Sequence, residues 1–303
     1  MATATATEVT LEGKNIKLTN LNKLMWPEGL TKAHLVKYYT DIAPYLLPYI
    51  KGRPLVMKRY PHGIEGEYFY QKECPDYAPE WIQTVSIPHT EKRVNYIVCE
   101  DVPTLVWLAN QGCIEIHAWL SQKSNVECPD IAIIDLDPGD QAGFQDVMEV
   151  ALVVRQALHH LHLKGYPKTS GASGIHILIP LKPVHTFREV TRAMGLVAGL
   201  VAEVFPNKAT IERSLEKREK NKVYVDYLQN TRGKSMAWIY SLRPLPGAPV
   251  STPVLWEEIE RMGITPADFT MNTIFRRLRL FGDLHRDIAK HPQDLSHILA
   301  IHK

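Results

Sequence analysis

Residues 130–140 read DIAIIDLDPGD. Four apolar residues, Ile131 to Ile134, lead into Asp135, Leu136 and Asp137, and a Pro-Gly turn follows at Pro138 and Gly139. A short apolar run bounded by turn signals reads as a buried strand, and its acidic carboxyl end is where a central strand carries chemistry. Asp135 and Asp137 are two apart, so both side chains leave the same face of that strand. Two ionised carboxylates that close repel, and one is driven neutral unless a cation lies between them. Hard oxygen donors suit magnesium or manganese. The plain alternative is an Asp-rich turn after a strand, since Asp before Pro is common in turns.

Working outward, the spacing of Val147, Val150, Ala151, Val154, Leu158 and Leu161 predicts a helix from about Phe144 to Lys164, with Gly165 as its stop. "TSGASGIHILIPL" (169–181) is a glycine-bearing turn running into another apolar strand, and a helix is expected over Phe187–Val204. Upstream, Thr31 is a helix N-cap and Leu35, Tyr38, Tyr39 and Ile42 recur at helical spacing to about Tyr49. Residues 8–18 read as one or two short strands, "RPLVMKRYP" and "NYIVCE" as strands, and "PTLVWLANQG" as a helix with Pro near its start and Gly after its end. In "CIEIHAWLS", alternation points Ile114, Ile116 and Ala118 one way and Glu115, His117 and Trp119 the other. The last fifty residues, about 254–303, read as a polar helical segment with Trp256, Ile259 and Met262 as a stripe. The order is α+β, with mixed β-sheets flanked by helices. We read 1–303 as a single domain, with 1–8 as a flexible tail and the Pro-rich stretch 244–253 as its clearest linker.

The third acid is Asp226, inside the otherwise apolar and aromatic "VYVDYL" (223–228). A buried acid must be partnered. A metal shared with Asp135 and Asp137 would serve, and so would a salt bridge to Lys or Arg. Three carboxylates around two ions are suited to in-line phosphoryl displacement. "SGASGIH" offers backbone N–H groups that can cradle phosphate, but it is neither a Walker A loop nor a dinucleotide fingerprint. His159, His160 and His162 fall at mixed facings and read as solvated helix surface.

The composition narrows the class. The chain has 303 residues, 45% hydrophobic and 22% charged, with a formal net charge of +2. That is ordinary globular composition, and attraction to phosphate must come from local clusters rather than overall charge. The four cysteines, Cys74, Cys99, Cys113 and Cys128, form no CxxC pair, which argues against a zinc site and against a disulfide framework. No secretory leader or membrane-spanning run is visible, so a cytoplasmic protein is expected.

Taken together, IHAW, DLDP, TSGxxGxH and VDYLQN in this order resemble the archaeo-eukaryotic primase superfamily, and more narrowly the polymerase domain of bacterial DNA ligase D. The resemblance runs from about Leu18 to about Arg243. It implies a primase-like catalytic core that is a metal-dependent DNA repair polymerase of non-homologous end joining, adding ribonucleotides or deoxynucleotides to a 3′ end at gaps or overhangs bearing a 5′-phosphate. By the same resemblance, Asp135, Asp137 and Asp226 are the catalytic metal triad for two manganese or magnesium ions. Ser170 and His176 hold the incoming triphosphate, His117 lies near the nucleotide sugar and phosphates, and Lys222, Gln229 and Arg243 line the nucleotide pocket. Lys23 and Lys58 grip the 5′-phosphate, and Phe69 and Tyr70 stack on the template, as sequence-tolerant stacking favours.

Two departures stand out. Relatives often carry a lysine where this chain has Ser173, and "KREKNKVYVD" is one residue longer than the usual basic run, leaving Arg218 or Lys220 for the phosphate-binding place. No Lys-x-Asp-Gly adenylation motif appears, so a stand-alone polymerase with Ku and a separate DNA ligase as partners is expected, with ribonucleotide preference and untemplated terminal transfer as family traits. The alternatives are a primase that starts chains without a primer, and a DNA-end tether without catalysis.

Overall fold

The computed structural model describes residues 6–301. The chain forms two compact units. One comprises the residues up to Trp119 together with Ser235–Val250, and the other comprises Leu120–Lys234 and the chain from Ser251 onward. The chain passes from one unit to the other at Val250–Ser251, inside the Pro-rich stretch read as a linker.

The first unit begins with β1 (Ala6–Leu11) and β2 (Lys14–Thr19), an antiparallel hairpin. Glu12 and Gly13 both take positive φ at its tip, as a tight hairpin turn requires. Of the tail expected over 1–8, residues 1–5 lie outside the described residues, whereas Ala6, Thr7 and Glu8 are strand residues paired to Thr19, Leu18 and Lys17. Helix α1 (Lys32–Ile50) starts after Thr31 and buries Leu35, Tyr38, Tyr39 and Ile42. β3 (Pro54–Arg59), β4 (Phe69–Gln71), β5 (Gln83–Pro88) and β6 (Arg93–Val98) follow, then α2 (Val102–Asn110), capped by Asp101, and β7 (Cys113–Trp119).

The second unit holds β8 (Ile131–Pro138), α3 (Phe144–His160), β9 (Tyr166–Thr169), β10 (Ile175–Pro180), α4 (Phe187–Val204), β11 (Ala209–Thr210) and β12 (Val223–Asp226). β13 (Ser235–Ala237) then completes a six-stranded antiparallel sheet of the first unit, ordered β13-β7-β3-β6-β5 with β4 on β3. The second unit closes with short helices α5 (Trp256–Glu260), α6 (Ile274–Phe281) and α7 (Ser296–Leu299). The C-terminal segment, expected to be helical, carries only these short helices and two 3-10 turns among irregular chain. Helix α3 also ends earlier than its stripe suggested. His162, with φ 53°, turns the chain, and Gly165 lies beyond, where a Cβ would sit 2.6 Å from Ile177 and 2.7 Å from Leu158.

The second unit's sheet runs β11-β12-β8-β10-β9. Ala132, Ile134, Leu136, Ile175, Ile177, Val223 and Val225 face one way, against Val147, Val154, Val190 and Val197 of α3 and α4. Full burial of each such side chain contributes about 1.5–3 kcal/mol. Because side chains alternate, packing this face sends Asp135, Asp137, His176 and Asp226 to the other one. The turn before β10 lies tight against β8: a Cβ on Gly174 would come 2.3 Å from the Leu136 carbonyl oxygen and 3.3 Å from Asp137 Oδ1. Gly174→Ala is expected to destabilise the protein by about 1–3 kcal/mol, read as a lower midpoint in chemical denaturation. An unchanged midpoint would contradict this packing.

Candidate active site

The second unit carries the acids. Asp226 pairs across strands with Asp135, Asp135 with His176, and His176 with Lys168. The register thus lays Lys168, His176, Asp135 and Asp226 in one row across four strands, with Asp137 two residues along from Asp135 on the same face. His176 Nε2 stands 3.2 Å from Asp135 Oδ1, and Lys168 Nζ stands 2.8 Å from His176 Nδ1. Lys168 is fully buried and also donates to the Ser251 hydroxyl. Sequence reading passed over this lysine, because a single Lys in "YPKT" looks like any surface cation.

Asp226 accepts the Leu228 N–H at 2.7 Å and faces the Tyr224 hydroxyl at 3.4 Å. Burial first, and the charge of Asp135 after it, raise its carboxyl above the usual range. A proton is therefore easier to place there than on a free carboxylate, and a cation would relieve the same repulsion. Among the described residues no three His, Cys, Asp or Glu side chains close into a ready cation cage. The three Asp side chains nevertheless share a face, and their oxygen chemistry and mutual repulsion fit a hard divalent cation.

The Ser170 hydroxyl accepts the N–H groups of Ala172 and Gly174, both at 3.0 Å, so two N–H groups of the glycine turn are held within the turn itself. Arg218 stacks 3.7 Å over the Tyr224 ring, and Tyr224 pairs with Asp137. Lys220 reaches out to Asp140 at 3.4 Å with two thirds of its side chain exposed. Lys222 pairs with Glu219 at 2.5 Å. Gln229 is half-buried in a short 3-10 turn after β12.

In the first unit, the alternation in β7 is not an alternation of wet and dry, since all seven residues are buried. Glu115 has no exposed surface. Its carboxylate meets Lys58 Nζ at 2.6 Å, His117 Nε2 at 3.2 Å, Arg243 Nε at 3.2 Å and the Tyr60 hydroxyl at 3.0 Å. Burial alone would raise this carboxyl, but His117, Arg243 and Lys58 outweigh it and hold it at about 2. Sequence reading named three of these partners and missed the acid that gathers them. Lys58, assigned to the 5′-phosphate, is thus spent on Glu115 and lies over the Tyr68 ring at 4.5 Å. Lys23 Nζ donates to the Pro61 carbonyl at 2.9 Å. Its backbone carbonyl accepts the N–H of Lys32, a residue the sequence reading left in a helix. The Lys32 ammonium is lowered to about 8, by burial first and then by Lys23 and Arg59. Phe69 and Tyr70 are 44% and 53% exposed, as side chains free to stack would be.

A family model for the LigD primase-polymerase domain matches residues 31–285. The chain belongs to this family. Its relatives include the bifunctional non-homologous end joining protein LigD of Bacillus subtilis, 36% identical over 92% of this chain and 45% of that protein. The multifunctional LigD of Mycolicibacterium smegmatis is 32% identical over 89% of this chain and 36% of its own length. The chain spans less than half the length of these LigD proteins. The polymerase domain of Mycobacterium tuberculosis ligase D, solved in complex with DNA, superposes with a TM-score of 0.85 at 28% identity, over 92% of this chain and 99% of that one. The mixed α/β architecture is that of a LigD polymerase domain, and nucleotidyl transfer is the activity of the family. Among the described residues no helix is long and apolar enough to cross a membrane.

Glu115 offers a check by acid titration. Its native pKa lies below the value near 4.5 of an ordinary glutamate. The stability it contributes is therefore full above about pH 4.5 and is lost as the pH falls towards 2. Thermal unfolding of the wild type is expected to fall more steeply across that window than that of Glu115→Gln. Parallel curves would show that the carboxylate is not held by its cations.

Proposed function

We propose that this chain is the polymerase of a bacterial end-joining repair system and extends a 3′ end at a gap or overhang that carries a downstream 5′-phosphate. The observation that supports this reading best is the row on the second unit's sheet, where three carboxylates share one face with His176. The attacking 3′-oxygen forms a bond to the α-phosphorus as the bond to pyrophosphate breaks, and the proton of the hydroxyl is lost. Asp135, Asp137 and Asp226 would hold manganese or magnesium, which lowers the proton affinity of the hydroxyl and neutralises charge on the triphosphate. His176, fixed from behind by Lys168, and Arg218, flat on Tyr224 beside Asp137, are placed to meet phosphate oxygens. Because Lys220 reaches Asp140, Arg218, which also donates to the Glu212 and Arg213 carbonyls, is the proposed phosphate contact of the two. Ser170, Lys222 and Gln229 complete the nucleotide set of the second unit, and His117 and Arg243 that of the first. The family model spans both units, which supports reading them as one primase-polymerase domain.

For the 5′-phosphate we propose Lys23 with Lys32 rather than Lys58, which pairs with Glu115. Burial first, and the charges of Lys23 and Arg59 after it, lower the Lys32 ammonium, and a doubly charged phosphate would favour its charged form. Phe69 and Tyr70 are the proposed template platform. Ribonucleotide preference, untemplated transfer, and Ku and a ligase as partners in the bacterial cytoplasm are carried by the family likeness.

The defining assay is extension of a one-nucleotide gapped duplex with manganese, varying only the downstream 5′-phosphate. Stimulation by that phosphate supports the repair reading, and extension only on unprimed single strands would replace it with primase. Asp137→Ala is expected to abolish extension and to remove the rise in melting temperature that manganese gives the wild type, while DNA binding persists. Near-normal extension would end the metal assignment. Lys32→Ala is expected to weaken binding about tenfold on 5′-phosphorylated gaps and little on unphosphorylated ones, measured by fluorescence anisotropy. Equal loss on both would refute the phosphate role.

A further inference from the structure

Helix α6 reads IFRRLRLF, with three arginines and no acid in eight residues. The turn after it carries Asp283, Arg286, Asp287 and Lys290, which balance in sign, so the surplus positive charge belongs to the helix. Arg277 is spent inward. It meets the Glu258 carboxylate at 2.6 and 2.8 Å and donates to the Pro253 carbonyl at 3.0 Å. Its guanidinium lies over the rings of Phe269 and Phe281, at 4.7 and 5.2 Å. Arg276 and Arg279 are exposed, and among the described residues no ion pair or side-chain hydrogen bond engages either of them. The helix dipole favours a cation in the last turn, where Arg279 lies, but disfavours one in the first turn, where Arg276 lies. Leu280 is 67% exposed and Phe281 51%. The helix packs through Ile274 and Leu278, and that packing needs neither the two arginines nor Leu280.

α6 lies against the edge strand that carries the Lys168 end of the acidic row. Pro253, which accepts Arg277, pairs with Lys168 in an isolated β-bridge. His285, just after the helix, packs edge-on against Tyr166 of β9, with centroids 5.7 Å apart. All of these residues belong to the second unit.

Two arginines three residues apart, with an exposed leucine and phenylalanine beside them, suit a ligand that repeats negative charge and presents flat apolar faces. Single-stranded nucleic acid has both, since its phosphates meet guanidinium groups and its unstacked bases meet rings. A duplex keeps its base faces stacked inside and leaves Leu280 and Phe281 unused. An anionic membrane takes apolar side chains that are free to insert, whereas the Phe281 ring is held by Arg277, itself fastened to Glu258 and Pro253.

We propose that the exposed face and carboxyl end of α6 form a further nucleic-acid site, where Phe281 stacks on an unpaired base, Leu280 packs beside it, and Arg276 and Arg279 meet the phosphates of a single-stranded stretch. The choice of nucleic acid rests on the polymerase reading above. The site is separate from the three acids and from Phe69 and Tyr70, and it is indifferent to sequence because every base has a stacking face.

The test is fluorescence anisotropy of the full chain with fluorescein-labelled oligothymidylate over a range of salt concentrations. The double variant Arg276→Gln, Arg279→Gln is expected to weaken binding about tenfold and to flatten the dependence of log K on log salt by about 1.4, the share of two single-strand phosphates. Phe281→Ala is expected to weaken binding by about fivefold or more without changing that slope, and Phe281→Trp to restore it. Leu280→Ser repeats the apolar test at a more exposed position, independently of any loss of stability in Phe281→Ala. Unchanged affinity in the arginine variant, an unaltered salt slope, or an equal loss on blunt duplex DNA would overturn the proposal. So would binding to phosphatidylglycerol vesicles that Leu280→Ser abolishes while oligothymidylate binding stays at the wild-type level. The gapped-duplex assay separates this site from the polymerase reading. Extension by variants that bind oligothymidylate as the wild type does keeps the polymerase and removes the site. Oligothymidylate binding that depends on Arg276, Arg279 and Phe281, in a chain that extends no substrate, keeps the site and removes the polymerase.

Discussion

Glu115 has no contact with solvent, and a carboxylate so placed is strongly unfavourable unless cations and hydroxyls meet it. Lys58, Arg243, His117 and Tyr60 do so from β3, the chain after β13, β7 itself and the end of β3. These four side chains of the first unit are arranged around that one charge. Lys58 cannot swing to a distant phosphate without giving up its 2.6 Å pairing with the acid, and His117 cannot turn its ring without losing its acceptor. The constraint makes one charged residue the organiser of several others.

The second unit meets the same constraint in the opposite sense. Its acids are gathered rather than separated, with Lys168 behind His176 at one end of the row and the charge of Lys234 acting on Asp226 at the other. Asp226 is left with a carboxyl that holds its proton more strongly than usual, because burial and Asp135 both oppose its charge. Such a face is poorly suited to an empty resting state and well suited to divalent cations and triphosphate. Gly174 contributes by absence: with no Cβ, the turn lies against Leu136 and brings the start of β10 beside Asp137.

Much of the site was legible because it lies in short stretches with strong local patterns. DLDP and VYVD announce acids on buried strands, and a period of two puts Asp135 and Asp137 on one face. Helices α1 and α4 were legible for a similar reason, since their apolar stripes and caps are local. The end of α3 was not, because His162 takes a positive φ that ordinary residues rarely adopt, and packing of Ile177 and Leu158 rather than turn chemistry requires Gly165. The C-terminal segment misled because its helices, Trp256–Glu260, Ile274–Phe281 and Ser296–Leu299, are too short to repeat a stripe and are held by long-range contacts such as Arg277 on Glu258 and the Pro253 carbonyl.

The sequence by itself determined which strand residues share a face and the family, and it put Asp135, Asp137 and Asp226 forward as the candidate acids, since alternation and motif order need no knowledge of partners. Tertiary structure alone decided which charges meet. Glu115 and Lys58 are far apart in the chain and become neighbours through the β3–β7 register. Lys168 is joined to His176 and Ser251, and burial first, then the charges of Lys23 and Arg59, lower the Lys32 ammonium. Charge pairing acts over a few ångströms of space, and the register of paired strands, which single-strand patterns do not specify, sets those distances.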